Sequence, residues 1–154
     1  MMRTLVIYYT LTGNTKEVAE AVAQELGAEI EEIITTKEII KKEGFGKYFW
    51  GGKMVIMKEM PEILPIKKDV NEYDLIVFGT PVWAGNFAPP LLTFFEKYKI
   101  SNKNVAVFCT HEGGQGNALK NMKLKLVNNE VMGEIGFIKN TNHEKIKEWA
   151  RSLK

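Results

Sequence analysis

Three threonines and a glycine within one hexapeptide, Thr10-Leu11-Thr12-Gly13-Asn14-Thr15, make this the stretch of the sequence best equipped to hold an anion. It follows the apolar run Leu5-Val6-Ile7-Tyr8-Tyr9 and precedes a helix-forming run that begins near Lys16. Backbone N–H groups at a helix start lack intrahelical partners, and the helix dipole adds partial positive charge beside them. A dianion can therefore be held there without a lysine. The hydroxyls add donors, and Gly13 supplies the steric freedom that a turn around an anion requires. The same hexapeptide also reads as an ordinary strand-to-helix turn with Thr12 or Asn14 as the N-cap.

Two further stretches carry residue types that a core does not need. Gly79-Thr80-Pro81-Val82-Trp83-Ala84-Gly85-Asn86-Phe87-Ala88-Pro89-Pro90 offers a flat aromatic, Trp83, beside a glycine where backbone can approach a ligand closely. Trp83 alternatively packs into the end of a sheet. Thr110-His111-Glu112-Gly113-Gly114-Gln115-Gly116-Asn117 offers glycines that let main-chain N–H groups reach the edge of a ligand. His111 reads as a weak stacker, a charge near a ligand, or a solvated loop histidine. Cys109, at the end of an apolar run, reads as a small core residue rather than a redox thiol.

The elements that must position these stretches follow from hydrophobic periodicity. Residues 3–9 form a continuous apolar run of the kind buried in parallel sheets. In residues 15–26, Val18, Ala21, Val22 and Leu26 recur at helical spacing before Gly27, a helix stop. Residues 28–34 alternate as a shorter strand near an edge, and residues 73–79 make the most clearly buried strand. A helix over 91–98 begins behind Pro89 and Pro90, where proline is tolerated. Strands over 104–109 and 131–138 then alternate with helices marked by Ala118, Leu119, Met122 and Leu126, and by Ile146, Trp149, Ala150 and Leu153. Residues 35–68 hold a charged helical piece at 37–43, an aromatic patch at 44–52, and Met54, Met57 and Met60 before Pro61 and Pro65. A crossover helix packing its methionines on the sheet is the favoured reading there; a lid or docking surface is the alternative.

Five strand-helix alternations imply a doubly wound parallel sheet with right-handed crossovers, an α/β fold with helices on both faces. Ligands of such sheets bind outside the carboxyl ends of the strands. The three stretches follow the first, third and fourth strands, so all lie at one end. An anion cradle, a flat aromatic and a polar edge together describe a site for flavin mononucleotide, FMN.

Composition bounds the remaining choices. The 154 residues are most economically one domain, spanning 1–154, with 45% hydrophobic and 26% charged residues. The 21 basic and 19 acidic side chains are scattered, and only Arg3 and Arg151 are arginines. Nucleic acid is therefore not an expected partner. One cysteine and two histidines exclude an internal disulfide and give no support to a zinc site, so no metal is expected. No apolar run is long enough to span a bilayer and no signal core is recognisable, so a cytoplasmic protein without membrane contact is expected.

These residues resemble the flavodoxin family, in its short-chain form, over nearly the whole chain. The hexapeptide fits the family's phosphate loop around Thr-Gly-x-Thr, and Gly79-Thr80-Pro81-Val82-Trp83-Ala84-Gly85-Asn86 looks like its first flavin-ring loop. The resemblance implies a five-stranded sheet in the order 2-1-3-4-5 and FMN as cofactor. It gives the phosphate to Thr10, Leu11, Thr12, Gly13, Asn14 and Thr15, and the ring to Thr80, Pro81, Val82, Trp83, Ala84, Gly85 and Asn86. It also implies that Gly85 lets a peptide turn so that its carbonyl accepts a hydrogen bond from the reduced ring. Thr110, His111, Glu112, Gly113, Gly114 and Gly116 would close the other side, although the tyrosine common at that place in the family is missing. A net charge of +2 also departs from the family's usual acidic surface.

The leading expectation is an electron carrier, monomeric or weakly dimeric, cycling FMN among oxidised, semiquinone and reduced states for redox partner proteins. The rival is an NAD(P)H-dependent FMN oxidoreductase that reduces quinones or other small acceptors. A non-redox interaction module comes third. A phosphoacceptor receiver would need acids where Tyr8, Tyr9, Thr10, Gly79 and Thr80 stand, and no G-x-x-x-x-G-K-[ST] motif supports a nucleotide triphosphatase.

Overall fold

Runs apolar on both faces need cover on both faces, and the chain supplies it by alternating strands with amphipathic helices. The computed structural model describes residues 2–37 and 59–154. In chain order it has β1 Thr4–Tyr8, α1 Asn14–Leu26, β2 Glu29–Glu32, a 3₁₀ turn Val70–Glu72, β3 Leu75–Trp83, β4 Asn86–Phe87, α2 Pro89–Lys97, β5 Asn104–His111, α3 Ala118–Leu124, β6 Glu130–Ile138 and α4 His143–Ser152.

The sheet runs β2-β1-β3-β5-β6, with β4 attached to β3. Its five parallel strands stand in the expected order. The sixth strand is the addition: β3 continues past Gly79 to Trp83, and β4 pairs back antiparallel, Val82 against Phe87 and Trp83 against Asn86. The segment expected as a plain loop is thus a β-hairpin, because Ala84 and Gly85 both take positive φ, 49° and 72°. Two central residues at positive φ make the tight turn that matches strand twist.

One face of the sheet is covered by α1 and α4, whose Val18, Val22, Ile146 and Trp149 pack on Val6, Val77 and Phe108. The other face is covered by α2 and α3 through Leu91, Phe94, Leu119 and Met122. Gly27 ends α1 with φ 62°, its N–H returning to the carbonyls of Ala23 and Gln24. β6 is the strand expected over 131–138, and Phe137 alone is buried in it, because it forms the outer edge of the sheet.

Residues 59–66 return beside the end of β2, where Leu64 N–H donates to Ile34 O at 2.8 Å and Thr36 N–H to Glu62 O at 3.0 Å. Met60 is exposed there. The charged helical piece after Lys37, the aromatic patch, Met54 and Met57 lie outside the described residues.

Candidate functional site

The carboxyl ends of β1, β3 and β5 open onto a cleft of about 390 Å³. Thr10, Leu11, Thr12, Asn14 and Thr15 line it from the turn into α1. Gly13 is the N-cap residue of that helix, at φ 104° and with no side-chain cap, so neither Thr12 nor Asn14 caps it. Gly13 itself does not line the cleft. Its N–H donates to Thr10 Oγ1 at 3.0 Å and its carbonyl accepts from Glu17 N–H, which curls the turn and leaves the helix start facing the cleft without a cap.

Thr15 is buried, and its hydroxyl meets the Thr110 hydroxyl at 2.8 Å. This bond ties the anion turn to the end of β5. Across the cleft, Pro81, Val82, Trp83 and Ala84 contribute from the hairpin. Trp83 is held edge-on by Tyr9, with ring centroids 5.8 Å apart at 85°. Thr80 stays behind this wall: it is wholly buried, its hydroxyl donating to Pro81 O at 2.8 Å and accepting from Ala88 N–H at 2.9 Å. Asn86 also supports rather than lines, its Oδ1 accepting from Phe87 N–H and from Asn121 Nδ2.

Thr110, His111 and Glu112 complete the third side. Gly113, Gly114 and Gly116, expected at the site, do not line the cleft: Gly113 and Gly114 face open space, and Gly116 packs on the Gly85 backbone. Gly114 N–H instead donates to His111 Nδ1 at 3.2 Å. Gly85 does not line the cleft in this conformation, and its oxygen accepts from Asn117 N–H at 2.7 Å.

Lys139, one residue beyond β6, lines the cleft and was not expected to. Its ammonium pairs with Glu112 at 3.1 Å. The signal that could have found it is topological: β6 neighbours β5, so the residue after its end lies beside His111, whose carbonyl accepts Lys139 N–H. Glu112 and Lys139 are the carboxylate and the ammonium among the described lining residues. Behind the cleft walls lie two buried titratable groups, Tyr9 and Cys109. Burial, helped by nearby Glu32, pushes the Tyr9 phenol up to about 12, and burial alone pushes the Cys109 thiol up to about 12. Cys109 is therefore a core residue without thiolate character.

An uncapped helix start flanked by threonines, a flat indole and a polar third side fit the phosphate, ring and ring edge of FMN. Comparison with known proteins agrees. The family described as Flavodoxin matches residues 3–153. The chain belongs to the flavodoxin family. A flavoprotein from Lactobacillus acidophilus NCFM, solved in complex with FMN, shares the fold with a TM-score of 0.79 at 25% identity, covering 97% of this chain and 99% of that one. A flavodoxin from the domain Archaea has a TM-score of 0.63 at 14% identity over 99% of this chain and 94% of its own, a likeness of fold alone. This flavodoxin-family chain is also 30% identical over 146 residues to an NAD(P)H dehydrogenase (quinone) of Archaeoglobus fulgidus, covering 82% of itself and 72% of that relative.

Proposed function

We propose that this chain holds FMN in the cleft and works as an NAD(P)H-dependent reductase that passes electron pairs to quinones or similar small acceptors. The observation that carries this reading is the one-sidedness of the ring wall. Among the described residues, Trp83 lines the cleft from the hairpin, whereas the third side is lined by Thr110, His111 and Glu112 and continues into residues 113–117, which are exposed and contain no aromatic ring. A flat nicotinamide or quinone needs such an open face to stack. The relative named NAD(P)H dehydrogenase (quinone) supports the same reading.

The chain's own groups divide the work. The free N–H groups at the start of α1, with the Thr12 hydroxyl, hold the phosphate, and Trp83 fixes the plane of the ring. Gly114 N–H engages His111 Nδ1, so the neutral imidazole carries its proton on Nε2 and offers it as a donor. Lys139 and Glu112 face the cleft as an ion pair, so an anionic reduced cofactor would compete with the Glu112 carboxylate for the Lys139 ammonium. Bound FMN supplies hydride acceptance and two-electron delivery.

The family match favours a second reading, the electron carrier for redox partner proteins. Both are tested by adding FMN to the purified protein, recording its visible spectrum, and then adding NADH or NADPH anaerobically with and without a quinone. Rapid bleaching with quinone-dependent turnover supports the reductase. A bound flavin inert to nicotinamides that exchanges electrons with a protein reductase supports the carrier. Absence of FMN binding rejects both.

A further inference from the structure

We infer that the chain associates with a second copy of itself through an apolar patch where α3 passes into β6, at the end of the sheet opposite the cleft. Four large apolar side chains lie open to solvent there: Leu124, Val127, Val131 and Met132, at 60%, 68%, 38% and 44% exposure. Leu124 ends α3, and Val131 and Met132 stand near the start of β6, the outer strand of the sheet. Apolar residues scattered singly over a surface are ordinary, whereas a cluster of them marks a contact surface.

The local structure holds these side chains outward. The turn between α3 and β6 is pinned by Asn129, whose side chain donates to Ile100 O at 2.9 Å and Leu126 O at 3.2 Å and accepts from Lys103 N–H at 3.0 Å. Within that turn Leu126 is buried in the core and Val127 beside it is exposed. β6 then carries a bulge: Val105 and Ala106 are consecutive in β5, but their partners are Val131 and Gly133, so Met132 is the extra residue. A bulge re-aims side chains, and here the consecutive Val131 and Met132 are both exposed. Lys123 pairs with Glu134, which fastens α3 to β6 beside the patch. A surface held this firmly loses little freedom when a partner covers it.

The charge around the patch selects the occupant. Lys120, Lys123 and Lys125 border it from α3 and the turn, and Glu96, Glu130 and Glu134 from α2 and β6. Equal numbers of both signs repel a uniformly acidic or uniformly basic partner as much as they attract it. A two-fold interface sets one patch against its own copy, so a rim of mixed sign can place lysines of one copy against glutamates of the other. Lys120 and Glu130 form no ion pair among the described residues and are the rim charges open to such contacts. Because the patch lies at the amino end of β6 and the cleft at the carboxyl ends of the strands, both clefts stay open in the dimer.

The test is sedimentation equilibrium of the full chain from about 5 to 500 µM, since self-association depends on concentration. The wild-type mass is expected to rise from 17.5 kDa toward twice that value. Val127→Glu, which puts a carboxylate in the patch, is expected to stay at 17.5 kDa, with circular dichroism melts checking that it folds. Lys120→Glu and Glu130→Lys are each expected to weaken self-association by about threefold to tenfold, and an equimolar mixture of the two to recover it. A wild type that stays at 17.5 kDa throughout, a folded Val127→Glu that still dimerises, or a mixture no stronger than either variant alone overturns the proposal. None of these outcomes bears on FMN, whose binding the visible titration decides separately.

Discussion

Thr15 and Thr110 show how much one pair of side chains carries at this site. Each hydroxyl is buried and finds its partner in the other at 2.8 Å, joining the first turn of α1 to the end of β5. Thr15→Val leaves the Thr110 hydroxyl buried without a partner and is expected to cost about 1–3 kcal/mol. The same holds for Thr110→Val. The double variant is expected to lose less than the sum of the two, with a coupling of about 0.5 kcal/mol or more. Urea denaturation of the four proteins measures this cycle, and strict additivity would show that the hydroxyls act separately. Cys109 and Tyr9 make a second test at this scale. Burial raises the thiol from 9.0 to about 12 and the phenol from 10.0 to about 12, so the folded state holds both protons more tightly than the unfolded chain. Stability from these groups is complete below the unfolded values and falls as pH rises through them toward 12. Denaturation midpoints are expected to decline above pH 9, and Cys109→Ala is expected to flatten the part of the decline between 9 and 10, where the thiol titrates before the phenol.

Where β3 and β5 lie side by side, Gly79 is opposite Phe108, and a Cβ at Gly79 would fall 2.2 Å from the Phe108 ring. That ring also meets Phe137 and Trp149 edge-on, at 6.2 and 6.1 Å, so it has nowhere to retreat. Gly79→Ala is expected to destabilise by about 1–3 kcal/mol. Phe108→Leu in the same chain should recover part of that loss, and thermal melts of both proteins check it. Gly79 was legible in sequence as the end of a buried run, but its role as space for Phe108 was not, because that contact joins residues paired only in the folded sheet. The parallel strands were legible because Leu5-Val6-Ile7 and Leu75-Ile76-Val77-Phe78 are apolar on both faces, and α1 because Gly27 stops it. The hairpin was not legible: Pro81 argues against a strand, and Ala84-Gly85 lacks the Asn-Gly or Asp-Gly signal of such a turn. β6 was legible as a strand, but its place at the edge of the sheet was not, because periodicity reports side-chain type and not position in the sheet. At the site, the threonines and Trp83 were visible by their chemistry, whereas Lys139 and Asn117 act through neighbours that sequence distance hides.

Across the whole molecule, the cleft draws on the ends of four strands, from Thr10 after β1 to Lys139 after β6, and so exists only when the entire sheet is assembled. A ligand of this cleft must therefore stabilise the fold as a unit, by about 2.7 kcal/mol at a hundred times its dissociation constant. The division of the cleft into an anion turn and a ring wall makes that stabilisation separable. On the placement proposed above, FMN would engage both parts, riboflavin only the hairpin and third-loop side, and inorganic phosphate only the start of α1. The melting temperature is expected to rise steadily with the logarithm of FMN concentration. Riboflavin should need a higher concentration for the same rise, and added phosphate should weaken FMN while leaving riboflavin unaffected. Thermal melts across the three titrations measure it. Equal effects of FMN and riboflavin would take the phosphate away from the threonine turn, and with it the reason for an uncapped helix start at Gly13.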